Sequence, residues 1–400
     1  MGTPLIVFGA FDRHNLGDLL FGRLAQRLLG EGVQEESLHF AGLIARDLTA
    51  CGGQQVEALA MLAERWQGRP VTLLHAGGEI LGCSLAEAAV MLLEVRQARA
   101  LLAGRPGAED LRRWAQARLA MNHEVAYLAP RPLFAPGSRF LHHGIGGATL
   151  ATLPTAMQVE AMAALRGADG LCVRERVTRA WLRARGVRPQ LAPDLVVLTP
   201  QLFAGEIANH AASGEPERAR RRFPPGYVAV QFAAAWGDDQ TLNRLAAQLE
   251  ALRRATGLGL VLFAAGQAPW HDDLEVYRRL ADRLRSPPLL CQTAHIFDLC
   301  ALLAGCALFC GSSLHARILA QACGRPAVSL ARAGEAAKIT AHLASWPDGR
   351  GNWLSDGTGL AQVGLKALHA GGPSARRIAR WQSLALAAFR RQVLPWERQD

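Results

Sequence analysis

The run Phe309-Cys310-Gly311-Ser312-Ser313-Leu314-His315-Ala316-Arg317 decides how the rest of the chain is read. An apolar segment that ends in Gly-Ser-Ser and passes into Ile318-Leu319-Ala320-Gln321-Ala322 is a buried strand, a tight turn and the start of a helix. A turn of this kind aims backbone N–H groups from the positive end of a helix, which suits a phosphate or a carboxylate. Ser312 and Ser313 add hydroxyl donors, and His315 can trade a proton near neutral pH. Arg317 follows Ser313 by four residues, so the two share a helix face. A capped helix with a surface arginine is the alternative meaning of the same residues.

The strand–turn–helix rhythm extends in both directions. Downstream of residue 225, apolar runs at 227–231, 258–264, 289–291, 307–310 and 327–330 alternate with helical patterns near 239–255, 271–284, 295–304, 314–323 and 335–344. Upstream, Leu5-Ile6-Val7-Phe8-Gly9 reads as a central parallel strand, followed by a loop with Asp12, Arg13, His14 and Asn15 and a helix from about Asp18. Asp18 is placed as an N-terminal acid or cap of that helix. Strands are expected at 37–41, 71–75, 124–129, 138–143 and 170–174, and helices at 54–66, 84–103, 108–121 and 177–185. Gly77 and Gly78 follow a strand directly, and so does Gly144 after His142 and His143, so the backbone there can approach a ligand closely. Polar and glycine residues gathered at strand C-termini describe an α/β fold with its site along that edge.

The 400-residue length exceeds what one hydrophobic core sustains, so two domains are expected. Residues 1–198 form the first, 199–225 read as a polar, basic, proline-containing linker, 226–372 form the second, and 373–400 hold a C-terminal amphipathic helix packing back on the first. Two such domains facing across a cleft place ligands between them. The helix at 374–393 carries Ile378, Trp381, Ala385, Ala388 and Val393 on one side, with arginines around them. It packs on the domains or lies on an anionic membrane.

Forty-four Lys+Arg against 34 Asp+Glu favour anionic partners. Aromatics are only 6% and no nucleic-acid recognition motif is present, so nucleic acid is not expected as a partner. Eight cysteines without a CxxC pair read as reduced, buried thiols, and no metal site is visible. The N-terminus lacks the pattern of a signal peptide and no apolar run reaches membrane-spanning length. A cytoplasmic protein is expected, at most peripheral to the inner face of a membrane.

Together these segments resemble the polysaccharide pyruvyl transferase family. Asn15-Leu16-Gly17-Asp18 resembles the family's opening motif, Ala76-Gly77-Gly78-Glu79-Ile80-Leu81 its second glycine-rich motif, and His143-Gly144-Ile145-Gly146 its Gln-Gly-Ile-Gly turn. Val173-Arg174-Glu175 is similar to its Val-Arg-Asp motif, and the Gly311–His315 segment with residues 320–326 to its G-x-R-L-H…A…G-x-P block. Lys338, 23 residues after His315, matches a downstream lysine. The resemblance implies two Rossmann-like domains similar to GT-B glycosyltransferases and no cofactor. It also implies an activity: transfer of pyruvate from phosphoenolpyruvate, as co-substrate, onto a sugar diol of a polysaccharide (an exopolysaccharide, for example), glycan or lipid-linked saccharide.

In that reading His315 is the general acid that protonates the methylene carbon. Arg174 holds one anionic group of the donor bidentately, and Gly311, Ser312, Ser313, Arg317 and Lys338 hold the other. Asn15, Gly17, Asp18, Gly77, Gly78, His143 and Gly144 are acceptor-side or structural. One departure stands out: the family's arginine before Leu-His is Ser313, which leaves Arg317, Arg13 or Arg332 to replace its charge. A glycosyltransferase using a nucleotide sugar, or a non-catalytic relative that binds anionic sugars, are the alternatives.

Overall fold

Runs of four or five enclosed, mostly apolar residues form the central strands, because a strand covered by helices on both faces has little polar surface to present. The computed structural model describes residues 3–30, 37–332, 334 and 337–393. The chain divides into two units, residues 1–195 with 383–400, and residues 196–382.

The first unit is built on an eight-stranded sheet: β1 (Leu5–Phe8), β2 (Leu38–Gly42), β3 (Arg46–Asp47), β4 (Gln55–Ala58), β5 (Thr72–Ala76), β6 (Arg139–Ile145), β7 (Gly170–Val173) and β8 (Gln190–Leu191), in the order β3-β4-β2-β1-β5-β6-β7-β8. All pairs are parallel except β3 with β4. Its core joins Ile6, Phe8, Leu73, Tyr127, Phe140 and Val173 from the strands and the segments laid on them. The register of β6 on β7 slips between His142 and Ile145, where Gly144 takes a φ of 64°.

The second unit carries a six-stranded, all-parallel sheet of β9 (Tyr227–Gln231), β10 (Gly259–Leu262), β11 (Leu289–Leu290), β12 (Leu308–Gly311), β13 (Ala327–Leu330) and β14 (Leu354–Ser355), ordered β11-β10-β9-β12-β13-β14. Val228, Val230, Leu260, Leu262, Leu308 and Val328 form its centre with Leu242, Leu249 and Leu360 from flanking helices. The helix Asp239–Thr256 starts on the Asp238 side chain, which accepts the Thr241 N–H, and stops at left-handed Gly257. The expected two-sheet α/β fold is present.

Four local expectations are corrected. Residues 54–66 open with β4, which pairs with β2 (Ala41 with Glu57), and the helix begins only at Leu59; sheet pairing overrides local propensity. Residues 124–129 form no strand. The Glu160 carboxylate accepts the N–H groups of Glu124 and Val125 at 2.7 and 2.8 Å, supplying the bonds a neighbouring strand would have given. The helix expected over 84–103 is two, Leu85–Met91 and Val95–Ala103, broken before Glu94. The stretch expected as a linker folds within the second unit as the helices Thr199–Leu202, Ala204–Ala211 and Gly214–Arg222; Pro216 falls in a first turn, where its missing N–H costs nothing.

The C-terminal helix runs Ala375–Gln392. Trp381, Ala385, Ala388, Phe389 and Val393 are buried, so its apolar stripe is consumed by packing and not presented to a membrane. Among the described residues no helix is long and apolar enough to cross a membrane.

Candidate active site

In a parallel sheet the crevice for a ligand opens where the strand order reverses, at the carboxyl ends of the two diverging strands. In the second unit those strands are β9 and β12. β9 ends in Gln231 and β12 in Gly311, paired in register. A Cβ on Gly311 would lie 2.5 Å from the Phe309 ring and 2.7 Å from the Gln231 carbonyl, so only glycine lets the turn leave the sheet here.

The turn itself is tied inward. Ser312 donates its N–H to the Gln231 carbonyl at 3.2 Å, and Ser313 donates its N–H to Gln231 Oε1 at 2.8 Å. The Ser312 hydroxyl accepts the Ala233 N–H at 3.0 Å, and the Ser313 hydroxyl caps the helix Leu314–Ala322 by accepting the Ala316 N–H. The expectation of free backbone donors at Ser312 and Ser313 is thereby corrected; each hydroxyl keeps its own hydrogen to donate. Gln231 passes the connection on, since its Nε2 donates to Asp272 Oδ1 at 2.8 Å. Enclosure pushes the Asp272 carboxyl up to about 7 against the hydrogen bonds that favour its charge. Gln231 and Asp272 escaped the sequence reading; a polar residue closing the apolar strand Tyr-Val-Ala-Val-Gln was the available signal.

His315 stands in the first turn of this helix and keeps part of its surface exposed. Three of the first unit's strand histidines differ. His75, His142 and His143 are fully enclosed, and burial drives all three below the ordinary imidazole range, His75 to about 3 and His143 to about 4. His143 is bound through Nδ1 to Gln392 Oε1 at 2.6 Å and packs edge-on against Phe389, so the C-terminal helix covers it. It is a neutral packing residue, unreachable for a sugar.

Arg317 does not turn toward Ser313. Its guanidinium is completely buried and donates through Nη1 to the Ala327 carbonyl at 2.9 Å and the Ser329 hydroxyl at 3.0 Å, both on β13. Asp348 Oδ2 lies 4.0 Å from Nη2. Burial lowers its pKa to about 10, against the pull of Asp348. The expected donor contact is replaced by a structural one. Arg332 is likewise engaged, with Asp238 at 3.0 Å, and Lys338 is exposed in the helix Ala337–Ser345.

Arg174, at the end of β7, is also corrected as an anion holder. Its three nitrogens meet Glu175 at 2.5 Å, Asp194 at 3.0 Å and Glu79 at 3.0 Å, and the side chain is 1% exposed. Three carboxylates engage all three nitrogens of this enclosed guanidinium, which turns it inward and away from any donor anion. Burial raises the Glu175 carboxyl, which also feels Glu79. Gly146 is part of the same knot: a Cβ there would meet Glu79 Oε2 at 2.5 Å and the Arg174 guanidinium at 2.6 Å.

The first sheet reverses between β1 and β5, and the two N-terminal motifs meet there. Asn15 caps the helix Leu16–Leu29 by accepting the N–H groups of Gly17 and Asp18 at 3.0 and 3.3 Å. Asp18 pairs with Arg13 at 3.3 Å, and a Cβ on Gly78 would lie 3.2 Å from Asp18 Oδ1. Gly77, at φ 104°, leaves room for the Phe21 ring, 2.7 Å from where its Cβ would stand. Asp12, missed as a structural residue, bolts the loop down by accepting the N–H groups of Leu43 and Ile44 and the Tyr127 hydroxyl.

Among the described residues one group has metal-ligand chemistry: His210, His295 and Asp298, whose ligand atoms lie within 4.8 Å of one another. Asp298 already bridges His210 Nδ1 at 2.7 Å and the Thr293 hydroxyl at 2.6 Å, so hydrogen bonds satisfy the cluster.

The segment from Gly146 through Arg174, β9 and the His315 helix to Gly334 can be compared with known families as a block. Residues 146–334 match the polysaccharide pyruvyl transferase family model. The matched segment takes in Arg174 and the whole Gly311–Arg317 turn, while Asn15–Asp18, Gly77–Gly78, His143, Gly144 and Lys338 lie outside it. No curated protein matches the chain in sequence. Among solved structures, α,α-trehalose 6-phosphate synthase from Burkholderia multivorans is 14% identical with a TM-score of 0.51, covering 100% of this chain and 98% of its own. The UDP-GlcNAc 2-epimerase from Methanocaldococcus jannaschii is 12% identical with a TM-score of 0.49, covering 92% of each chain. HepE from Anabaena, in complex with UDP-glucose, is 13% identical with a TM-score of 0.47, covering 100% and 98%. The full-length likeness is one of fold, and the fold is GT-B-like.

Proposed function

We propose that the protein is a pyruvyl transferase that moves pyruvate from phosphoenolpyruvate onto two hydroxyls of a sugar as a ketal. The observation that carries this reading is the family match over residues 146–334, which spans the β9/β12 reversal point and the half-exposed His315 beside it. His315 is the general acid in this scheme, delivering a proton to the methylene carbon. One sugar hydroxyl then bonds to the central carbon, and the second displaces phosphate from it. Of the two hydroxyl protons, one balances the new methyl group and one leaves with phosphate. The hydroxyls of Ser312 and Ser313 and the ammonium of Lys338 bind the donor's anionic groups, in place of Arg174 and Arg317, whose nitrogens face inward. No cofactor enters the scheme. The acceptor is a carbohydrate, as the family implies.

Purified protein incubated with phosphoenolpyruvate and candidate saccharides should release phosphate and form an acid-labile ketal. His315→Ala should lower turnover by roughly 10²-fold or more. Undiminished turnover in that variant would remove His315 from the reaction. Tight binding of a nucleoside diphosphate with no binding of phosphoenolpyruvate would favour instead the nucleotide-sugar transferase reading, which the GT-B-like fold also accommodates.

A further inference from the structure

Several arginines on this protein are paired with carboxylates. Arg112, Arg131, Arg221, Arg253, Arg278, Arg279 and Arg283 each have a carboxylate within salt-bridge distance. One group without carboxylate partners converges on a single surface. Arg179, Arg183, Arg188 and Arg391 line, with Pro189 and Gln190, an open concavity of about 530 Å³ on the first unit. No acid lines it, and among the described residues none of the four guanidinium groups has a carboxylate or hydrogen-bonding partner. Arg179 Nε is itself buried and unpartnered. Two of the four are one turn apart on the helix Arg176–Arg183, a like-charge spacing that costs stability unless an anion answers it. The third precedes β8 and the fourth comes from the C-terminal helix, so three separate elements converge.

We propose that this concavity is a binding site for a multivalent phosphate group, two phosphates in tandem or side by side. Guanidinium is always charged at physiological pH and takes phosphate oxygens in pairs, so four of them with no internal carboxylate match an anion carrying several charges. The openness of the concavity suits a phosphate group borne on a larger carrier. The site lies at the amino-terminal end of β8, whereas Glu79, Gly146 and Arg174 lie beyond the carboxyl ends of β5, β6 and β7, so it serves a purpose other than the Arg174 cluster.

The test uses the full chain and its Arg183→Ala/Arg188→Ala variant, both at exposed positions, with circular dichroism as the check that the variant is folded. Isothermal titration with inorganic pyrophosphate should show binding that falls by roughly tenfold or more in the variant and weakens with added salt. A charge-matched control, Arg278→Ala/Arg283→Ala, removes two paired arginines and should bind as the unaltered chain does. Cosedimentation with phosphatidylcholine vesicles containing phosphatidic acid identifies the source: variant-sensitive vesicle binding that pyrophosphate competes away supports the site with a headgroup as ligand, and variant-sensitive pyrophosphate binding without vesicle binding supports it with a soluble ligand. Binding equal in the variant and the unaltered chain, or no binding of either probe, overturns the proposal.

Discussion

Gln231 Oε1 accepts the backbone N–H of Ser313 at 2.8 Å, which ties the end of β9 to the turn that launches the His315 helix. The same side chain donates to Asp272 at 2.8 Å, so its amide orientation is fixed from both ends. Gln231→Leu strands the Ser313 N–H and removes the donor from Asp272. A loss of about 1–3 kcal/mol in chemical denaturation is expected, together with a rise in the KM for phosphoenolpyruvate if His315 acts as proposed. A variant as stable as the unaltered chain would show that this bond does not hold the turn.

Asp272 makes the same region sensitive to pH. Its folded pKa, pushed up to about 7 by enclosure, stands above the unfolded value near 4. The folded state therefore holds an extra proton between roughly pH 4 and 7, and the contribution of this group to stability declines as pH rises through that window. Asp272→Asn should flatten the decline. Denaturation midpoints measured across the window decide it: a constant difference between the two proteins contradicts the assignment.

Arg174 is expected to be a stability residue of the first unit. Arg174→Ala leaves Glu79, Glu175 and Asp194 facing one another without their cation, at a cost of about 3–5 kcal/mol. The damage should ease as pH falls, because the orphaned carboxylates then take up protons. Adding Glu175→Gln should recover part of the loss. Equal stability of the single variant at low and neutral pH would argue against the charge cluster.

Arg317 should behave as a buried strut. Arg317→Ala opens a void behind β13 and frees Ser329 and the Ala327 carbonyl, costing about 2–4 kcal/mol. Phosphoenolpyruvate affinity per folded molecule, read by calorimetry below the melting temperature, should not change. A weakened affinity in still-folded protein would return Arg317 to the donor site.

The buried histidines make the first unit acid-labile. His75 and His143, held neutral to about 3 and about 4, take up protons on unfolding once the pH drops below the unfolded value near 6.5. Their contribution is intact above that value and is lost as pH falls toward about 4. His143→Gln should reduce the proton uptake on unfolding near pH 5 by about one, obtained from the pH dependence of Tm.

Much was legible before folding. Enclosed apolar runs such as Leu-Ile-Val-Phe and Leu-Phe-Cys-Gly, each closed by a turn, announce parallel strands, and the order of motifs along the chain resembles the same family whose model matches residues 146–334. Local sequence also sufficed for Asp18 as an acid in the first turn of its helix, whereas the cap is Asn15, three residues earlier, and the helix starts at Leu16 and not at Asp18.

What tertiary structure alone decided is which polar groups remain available. Arg174 and Arg317 are identical side chains in motif positions, yet one is enclosed by carboxylates from residues 79, 175 and 194 and the other is turned under β13. His143 and His315 both stand in motifs, yet only the second keeps exposed surface. A strand or a cap is written in neighbouring residues, because backbone geometry and helix ends are satisfied locally. The availability of a charge depends on partners tens or hundreds of residues away, and those meet only when the sheets assemble.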